Sequence, residues 1–130
     1  MRASMENVTD AELTVMKALW ERGTSTIREL TSALYPGGGA AHYATVQKLL
    51  ERLEAKACVR RRVRGRVNVY TASRARQDLI AHRLKETADK LCEGSLTPLL
   101  THLVGTVRLS PEQVSELRKL VDRMERRRED

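Results

Sequence analysis

Residues 41–71 read AHYATVQKLLERLEAKACVRRRVRGRVNVYT, and this stretch decides the fold. From about Ala41 to Ala57, Val46, Leu49, Leu50 and Leu53 recur at helical spacing, which makes one stripe of a helix apolar. The other faces of that helix present Tyr43, Ala44, Thr45, Gln47, Lys48, Glu51 and Arg52. The period then changes. Cys58-Val59-Arg60-Arg61-Arg62-Val63 and Val67-Asn68-Val69-Tyr70-Thr71 are rich in β-branched residues, and Arg64-Gly65-Arg66 lies between them. That pattern predicts a two-stranded hairpin with a basic tip.

Two helices are expected upstream. Thr9-Asp10-Ala11-Glu12 is a capping box, in which the Thr hydroxyl and the Glu carboxylate satisfy orphan backbone N–H groups. Leu13, Met16, Leu19 and Trp20 follow at helical spacing, and Gly23 ends the segment. Thr26-Ile27-Arg28-Glu29 is a second capping box, opening a short helix with Ile27, Leu30 and Leu34. Pro36-Gly37-Gly38-Gly39 breaks that helix; without a following Lys-Ser/Thr it is a flexible connector and not a phosphate loop. Three helices followed by a basic hairpin is the order of a winged helix-turn-helix.

Downstream the chain is helical again. Residues 74–93 carry Leu79, Ile80, Leu84, Ala88 and Leu91, and Gly94 stops them. Ser95 caps a short helix with Leu96, Leu99, Leu100, Leu103 and Val104, and Pro98 is tolerated in its first turn. Ser110-Pro111-Glu112-Gln113 opens a last helix, with Val114, Leu117, Val121 and Met124 leading to a solvated tail of Arg126-Arg127-Arg128-Glu129-Asp130. The fold class is therefore mainly α with a small β-hairpin: a winged-helix domain over residues 1–73 and a helical dimerisation region over residues 74–130. The helices of the second region carry more Leu than a lone chain of this size buries, so two copies packed isologously are expected. Leu84, Leu91, Leu96, Leu99, Leu100, Leu103, Val114, Leu117 and Val121 are assigned to that contact.

Composition narrows the function. With one Trp, three Tyr and no Phe in 130 residues, the core must be aliphatic. The net charge is +7, and residues 55–77 hold eight basic residues and no acid, so the excess is local and calls for a polyanion. A membrane-surface helix would oppose a basic face to a continuous apolar one rich in Trp or Phe, whereas this cluster sits on a hairpin. No apolar run is long enough to span a membrane, and MRASMENVTD has no apolar core segment of a signal peptide, which points to the cytoplasm. Cys58 and Cys92 form no metal-ligand spacing with each other or with His42, His82 and His102, so neither a metal nor a cofactor is expected. No nucleophile–base or carboxylate pair marks an enzyme. A winged-helix module that binds only proteins stays open as the alternative, although it has no need to concentrate charge at residues 55–77.

Against DNA the chemistry divides. The third helix suits the major groove, where Thr45 and Gln47 can read base edges. Arginines at the hairpin tip suit the backbone or the narrow minor groove. The expected DNA contacts are His42, Tyr43, Ala44, Thr45, Gln47, Lys48 and Arg52 on the helix, with Arg64 and Arg66 on the wing. Arg60, Arg61 and Arg62 alternate around the strand, so one of them should point along the sheet and not toward DNA. Trp20 is read as core packing.

Residues 5–70 resemble the penicillinase repressor family of bacterial regulators. The resemblance is carried by Glu12-Leu13, Val15-Met16 and Leu19-Trp20, by Thr26-Ile27-Arg28-Glu29-Leu30, by Tyr43-Ala44-Thr45-Val46 with Leu49-Leu50 and Arg52-Leu53-Glu54-Ala55-Lys56, and by Gly65-Arg66 and Val69-Tyr70. Gly94-Ser95-Leu96, Leu109-Ser110-Pro111-Glu112 and Leu117 extend it into the dimerisation helices. The resemblance implies a dimeric repressor on a palindromic double-stranded DNA operator. It also implies a membrane sensor of the metallopeptidase type, which responds to a signal such as a β-lactam, after which the repressor is cut. By position the cut bond falls near His102-Leu103, where the best-known members carry Asn and Phe. A copper-responsive branch ends in a cysteine-rich motif, and this tail has no cysteine.

Overall fold

Thr9 starts the first helix as its chemistry requires. Its hydroxyl accepts from the Glu12 N–H at 3.2 Å, while the Glu12 carboxylate accepts from the Thr9 N–H at 2.9 Å. Helix α1 (Asp10–Arg22) runs from there to Gly23, whose φ of 83° ends it in a conformation that suits glycine. The computed structural model describes residues 8–129. Residues 1–7, on which the signal-peptide reading partly rests, and Asp130 in the charged tail lie outside the described residues.

Strand β1 (Ser25–Thr26) leads directly into α2 (Ile27–Leu34), and Thr26 caps that helix through a second complete capping box with Glu29. Helix α3 (Ala40–Ala55), strand β2 (Val59–Arg64) and strand β3 (Val67–Ala72) follow. The third helix thus starts one residue earlier and ends two earlier than its spacing predicts. Lys56 closes it, and Ala57 takes a left-handed φ of 59° into the wing.

The sheet has three antiparallel strands in the order β1–β3–β2, where a two-stranded hairpin was expected. The added strand has a local cause. A helix N-cap is extended, and Thr26 at φ −82°, ψ 165° presents its backbone to β3, pairing Ser25 with Tyr70 and Thr26 with Val69. On the other side Val59 pairs with Ala72 and Arg64 with Val67. That register leaves Gly65-Arg66 as a two-residue loop, and Gly65 has a φ of 66°. Glycine first in a two-residue hairpin turn matches the twist of its strands.

The chain divides into two compact units that meet between Glu86 and Thr87, within α4 (Arg76–Leu91). The first unit holds the core: Val15, Met16 and Leu19 of α1, Leu30 of α2, Val46, Leu50 and Leu53 of α3, then Cys58, Val59 and Tyr70. It is aliphatic apart from Tyr70 and the flanking Trp20 and Tyr35. Each fully buried Leu contributes about 1.5–3 kcal/mol. The start of α4 is fastened here as well. Leu79 joins the core, the Trp20 indole N–H donates to the Arg74 carbonyl at 2.8 Å, and Arg83 donates to the Val8 carbonyl at 2.8 Å. Arg76 lies over the Trp20 ring at 5.4 Å.

The second unit contains the end of α4, α5 (Thr97–Thr106) and α6 (Pro111–Glu129). Gly94, at φ 85°, stops α4. Ser95 accepts from the Thr97 N–H at 3.2 Å, but Leu96 occupies the cap position proper, because Pro98 sits in the first turn. Ser110 and Gln113 exchange both capping hydrogen bonds at the start of α6.

Glu12 is fully buried, and its carboxylate forms an ion pair with Lys56 at 2.5 Å. Burial alone would push its pKa up. The Lys56 ammonium, the Thr9 N–H and the Arg52 guanidinium outweigh that, holding it below the ordinary 4.5. A carboxyl with a lowered native pKa contributes stability above its ordinary value and loses it as the pH falls through the lowered one. Glu12→Gln should therefore reduce unfolding free energy by about 2–3 kcal/mol near neutral pH, since it removes the buried carboxylate charge that faces Lys56. Urea unfolding at about pH 7 and about pH 3 checks this: the gap to the wild type should narrow in acid, and an unchanged gap would deny the charge any role.

Candidate nucleic-acid interface

Helix α3 buries Val46, Leu49, Leu50 and Leu53 and leaves the rest of its circumference in solvent. His42, Tyr43, Ala44, Thr45, Gln47, Lys48 and Arg52 are all exposed, as is Glu51. The contiguous polar face is the direct consequence of a four-residue apolar stripe on a 16-residue helix. The Thr45 hydroxyl donates to the Ala41 carbonyl at 3.0 Å, so the oxygen it shows to a partner acts as an acceptor. Arg64 and Arg66 are exposed on either side of Gly65. Glu29, exposed on α2, is held below its ordinary pKa chiefly by the Thr26 N–H and hydroxyl, with Arg22 and Arg64 adding to the effect.

The three consecutive arginines of β2 separate as strand geometry demands. Arg61, opposite the buried Tyr70, lies 3.5 Å from the Glu54 carboxylate of α3, so it is the one turned along the sheet. Arg60 and Arg62 lie on the other face. Burial pushes the Tyr70 phenol and the Cys58 thiol above their ordinary pKa values. Cys58 is therefore a packed, protonated thiol.

The glycine-rich approach to α3 is a packed turn and not the flexible connector expected from sequence. The Gly38 N–H donates to the Tyr35 carbonyl at 2.7 Å, and the Tyr35 and His42 rings stand 4.5 Å apart. A Cβ on Gly38 would meet the Tyr35 carbonyl oxygen at 2.8 Å and His42 Nδ1 at 2.9 Å, whereas one on Gly39 would meet nothing. The turn opens a cleft of about 500 Å³ between α2 and the start of α3. Arg28 and Ser32 line it beside Tyr43, so α2 adds two polar side chains next to the exposed face. Neither belongs to the motif of α3; only the helix-on-helix packing places them there.

The residues expected to pair two subunits fall on α4, α5 and α6. Leu84, Leu91, Leu96, Leu100, Leu103, Leu117 and Val121 are exposed in the single chain, and Leu99 and Val114 are half-buried. Leu99, Leu100 and Leu103 lie on one side of α5, with Leu96 at its N-cap, and Val114, Leu117 and Val121 share one face of α6 by spacing. His102 and Leu103 sit within α5, both exposed. Among the described residues no group of His, Cys, Asp or Glu is arranged to hold a metal ion, and no helix is long and apolar enough to cross a membrane.

A helix-turn-helix with an arginine-tipped wing defines the class as winged-helix DNA-binding regulator. The family model described as penicillinase repressor matches residues 8–123, and the chain belongs to that family. The penicillinase repressor of Bacillus licheniformis is 26% identical over 123 residues, which cover 95% of either chain. The solution structure of the DNA binding domain of the repressor BlaI is 29% identical, covering 60% of this chain and 93% of that one with a TM-score of 0.48. Family and architecture together make the chain a DNA-binding repressor.

The packed turn makes a sharp contrast between neighbours. Gly38→Ala should destabilise the first unit by about 1–3 kcal/mol, because backbone must move to admit the methyl group. Gly39→Ala meets no such contact and should cost only what the loss of a glycine N-cap costs, at most about 1 kcal/mol. Thermal unfolding of both variants tests this, and equal behaviour would mean the turn is slack.

Proposed function

We propose that the protein is a homodimeric repressor that occupies a palindromic DNA operator and lets go when its subunits are parted. The observation that carries this is the exposed polar face of α3 beside a wing whose tip presents Arg64 and Arg66 around Gly65. Residues 1–73 read DNA and residues 74–130 pair the subunits. His42, Tyr43, Ala44, Thr45, Gln47, Lys48 and Arg52 face the major groove, and the wing arginines hold phosphates at its edge. The exposed apolar faces of α4, α5 and α6 take a second copy of the chain, which turns two modest half-site affinities into one strong one through effective concentration. Repression is occlusion of a promoter in the cytoplasm. Induction is loss of pairing through a cut near His102-Leu103, made by a membrane sensor metallopeptidase or a protease it activates. Neither a cofactor nor a metal takes part.

Two measurements test the reading. Arg64→Ala and Arg66→Ala should weaken binding to all duplexes alike and flatten the dependence of log K on log salt by about 0.9 for each phosphate no longer neutralised. Gln47→Ala and Thr45→Ala should instead narrow the gap between operator and scrambled duplex, by about 1–3 kcal/mol for a side chain that reads a base edge. Wing variants that lose only operator binding would overturn this division of labour. Sedimentation at micromolar concentration should give a dimer for the wild type and a monomer for Leu100→Asp, which places an unpaired charge between the subunits. The same variant should bind a two-half-site duplex about 10²-fold more weakly.

A further inference from the structure

At the foot of the wing, where α3 gives way to β2, lies an open groove of about 640 Å³. Arg60, Arg61, Arg62 and Arg74 line it, together with Ser73 and a single carboxylate, Glu54. Glu54 is taken by Arg61 at 3.5 Å. Three guanidiniums therefore remain with no acid in the groove to balance them. Arg60 and Arg62 come from the sheet's edge strand, and Arg74 enters from beyond β3, just after the Ser73 N–H bonds to the Cys58 carbonyl at 2.9 Å.

Arg74 is the unusual member. Its Nε is shut off from solvent and has no hydrogen-bond partner among the described residues. A buried donor left unpaired is unfavourable, and structures rarely keep one without a reason. Arginines on an edge strand can serve simply to deter pairing with another chain, and that accounts for Arg60 and Arg62. It does not account for a half-buried arginine whose Nε is shut off from solvent beside them.

We infer that this groove binds a phosphate group, held by Arg60, Arg62 and Arg74, at a site distinct from the wing tip. A planar carboxylate is satisfied by one arginine fork. A tetrahedral phosphate offers acceptors in several directions, which suits guanidiniums arriving from separate backbone positions. Arg60 lies four residues along the strand from Arg64, about 13 Å at strand rise, and Arg74 enters from beyond β3, so a phosphate held by these two is centred away from the tip, with Arg62 between them and Arg64. The groove is open enough to admit either a phosphate of a nucleic-acid backbone or a free phosphorylated molecule. The site does not depend on operator recognition, so it can stand or fall separately.

The test is a titration of the full chain with inorganic phosphate at constant ionic strength, following the arginine Nε–H signals by NMR. The Arg60, Arg62 and Arg74 signals should move together and saturate. Those of Arg126, Arg127 and Arg128, exposed on α6, provide the internal reference for nonspecific screening. Arg60→Gln with Arg62→Gln changes only exposed side chains and should weaken phosphate binding by about tenfold or more. If Arg74 shifts only in parallel with the α6 arginines, or if the double variant binds phosphate as tightly as the wild type, the inference is overturned. A saturating site whose double variant also lowers the salt slope on a long duplex, by about one unit per phosphate, identifies the DNA backbone as the source. A saturating site with an unchanged slope identifies a free phosphorylated ligand.

Discussion

The ion pair between Glu12 and Lys56 joins the first turn of α1 to the residue that closes α3. The exposed face of α3 and the start of the wing are positioned from that junction. Lys56 precedes the left-handed Ala57 and the buried Cys58, which together turn the chain from the recognition helix into the wing. The same carboxylate caps α1 through the Thr9 N–H, so one buried charge fixes a helix start and a helix end 44 residues apart. Such a pair need not exceed an apolar replacement in stability, because both charges are desolvated. Its value is directional. An apolar contact tolerates sliding, whereas a carboxylate held by an ammonium and a backbone N–H permits one arrangement of α1 against α3.

Charge is distributed over this frame in a consistent way. The exposed face of α3 carries uncharged Thr45 and Gln47 ahead of Lys48, Glu51 and Arg52, while the uncompensated arginines lie on the strands beside it. On the proposed reading, long-range attraction would come from the wing, where it is sequence-independent and screened by salt, and discrimination from side chains that need close geometry. Glu54 takes Arg61 out of the attractive set by pairing with it against α3. That pair also braces the wing on the helix it flanks.

Much of this was legible because it is local. The capping boxes at Thr9, Thr26 and Ser110 depend on residues three apart, and all three form as read. The apolar stripe of α3 dictates which of its faces stays wet, so the exposed set from His42 to Arg52 follows from spacing alone. What sequence did not show is what the chain assembles from a distance. Strand β1 has two residues and no periodicity, and it exists only because β3 is there to pair with it. Glu12 looked complete as a capping residue, and its second partner lies far along the chain. Three glycines in a row read as slack until Tyr35 and His42 close on Gly38. Arg28 was legible only as part of a capping box, Ser32 and Arg74 carry no motif, and only packing places the first two beside α3 and the third in the groove.

The partition of the core bears on how a cut could act. Every residue of the buried cluster lies between Val8 and Leu79, and neither α5 nor α6 contributes a buried side chain. Trp20, Arg83 and Leu79 fasten α4 to the first unit before the point where the units divide. Cleavage near His102 would thus remove no part of the core beneath α3 and the wing, and the DNA-reading surface would survive it. The step that limits such a cut is access. His102 and Leu103 are exposed as side chains but sit inside α5, whose backbone must open before a protease can fit it into an extended conformation. With no buried side chain of its own, α5 opens at low energy when its apolar face is uncovered, and in the proposed dimer a covering second chain would raise that energy. On the proposed mechanism, pairing would protect the very bond whose cleavage is proposed to end it, so a sensor that first loosened such a dimer and one that cut it directly would drive the same release.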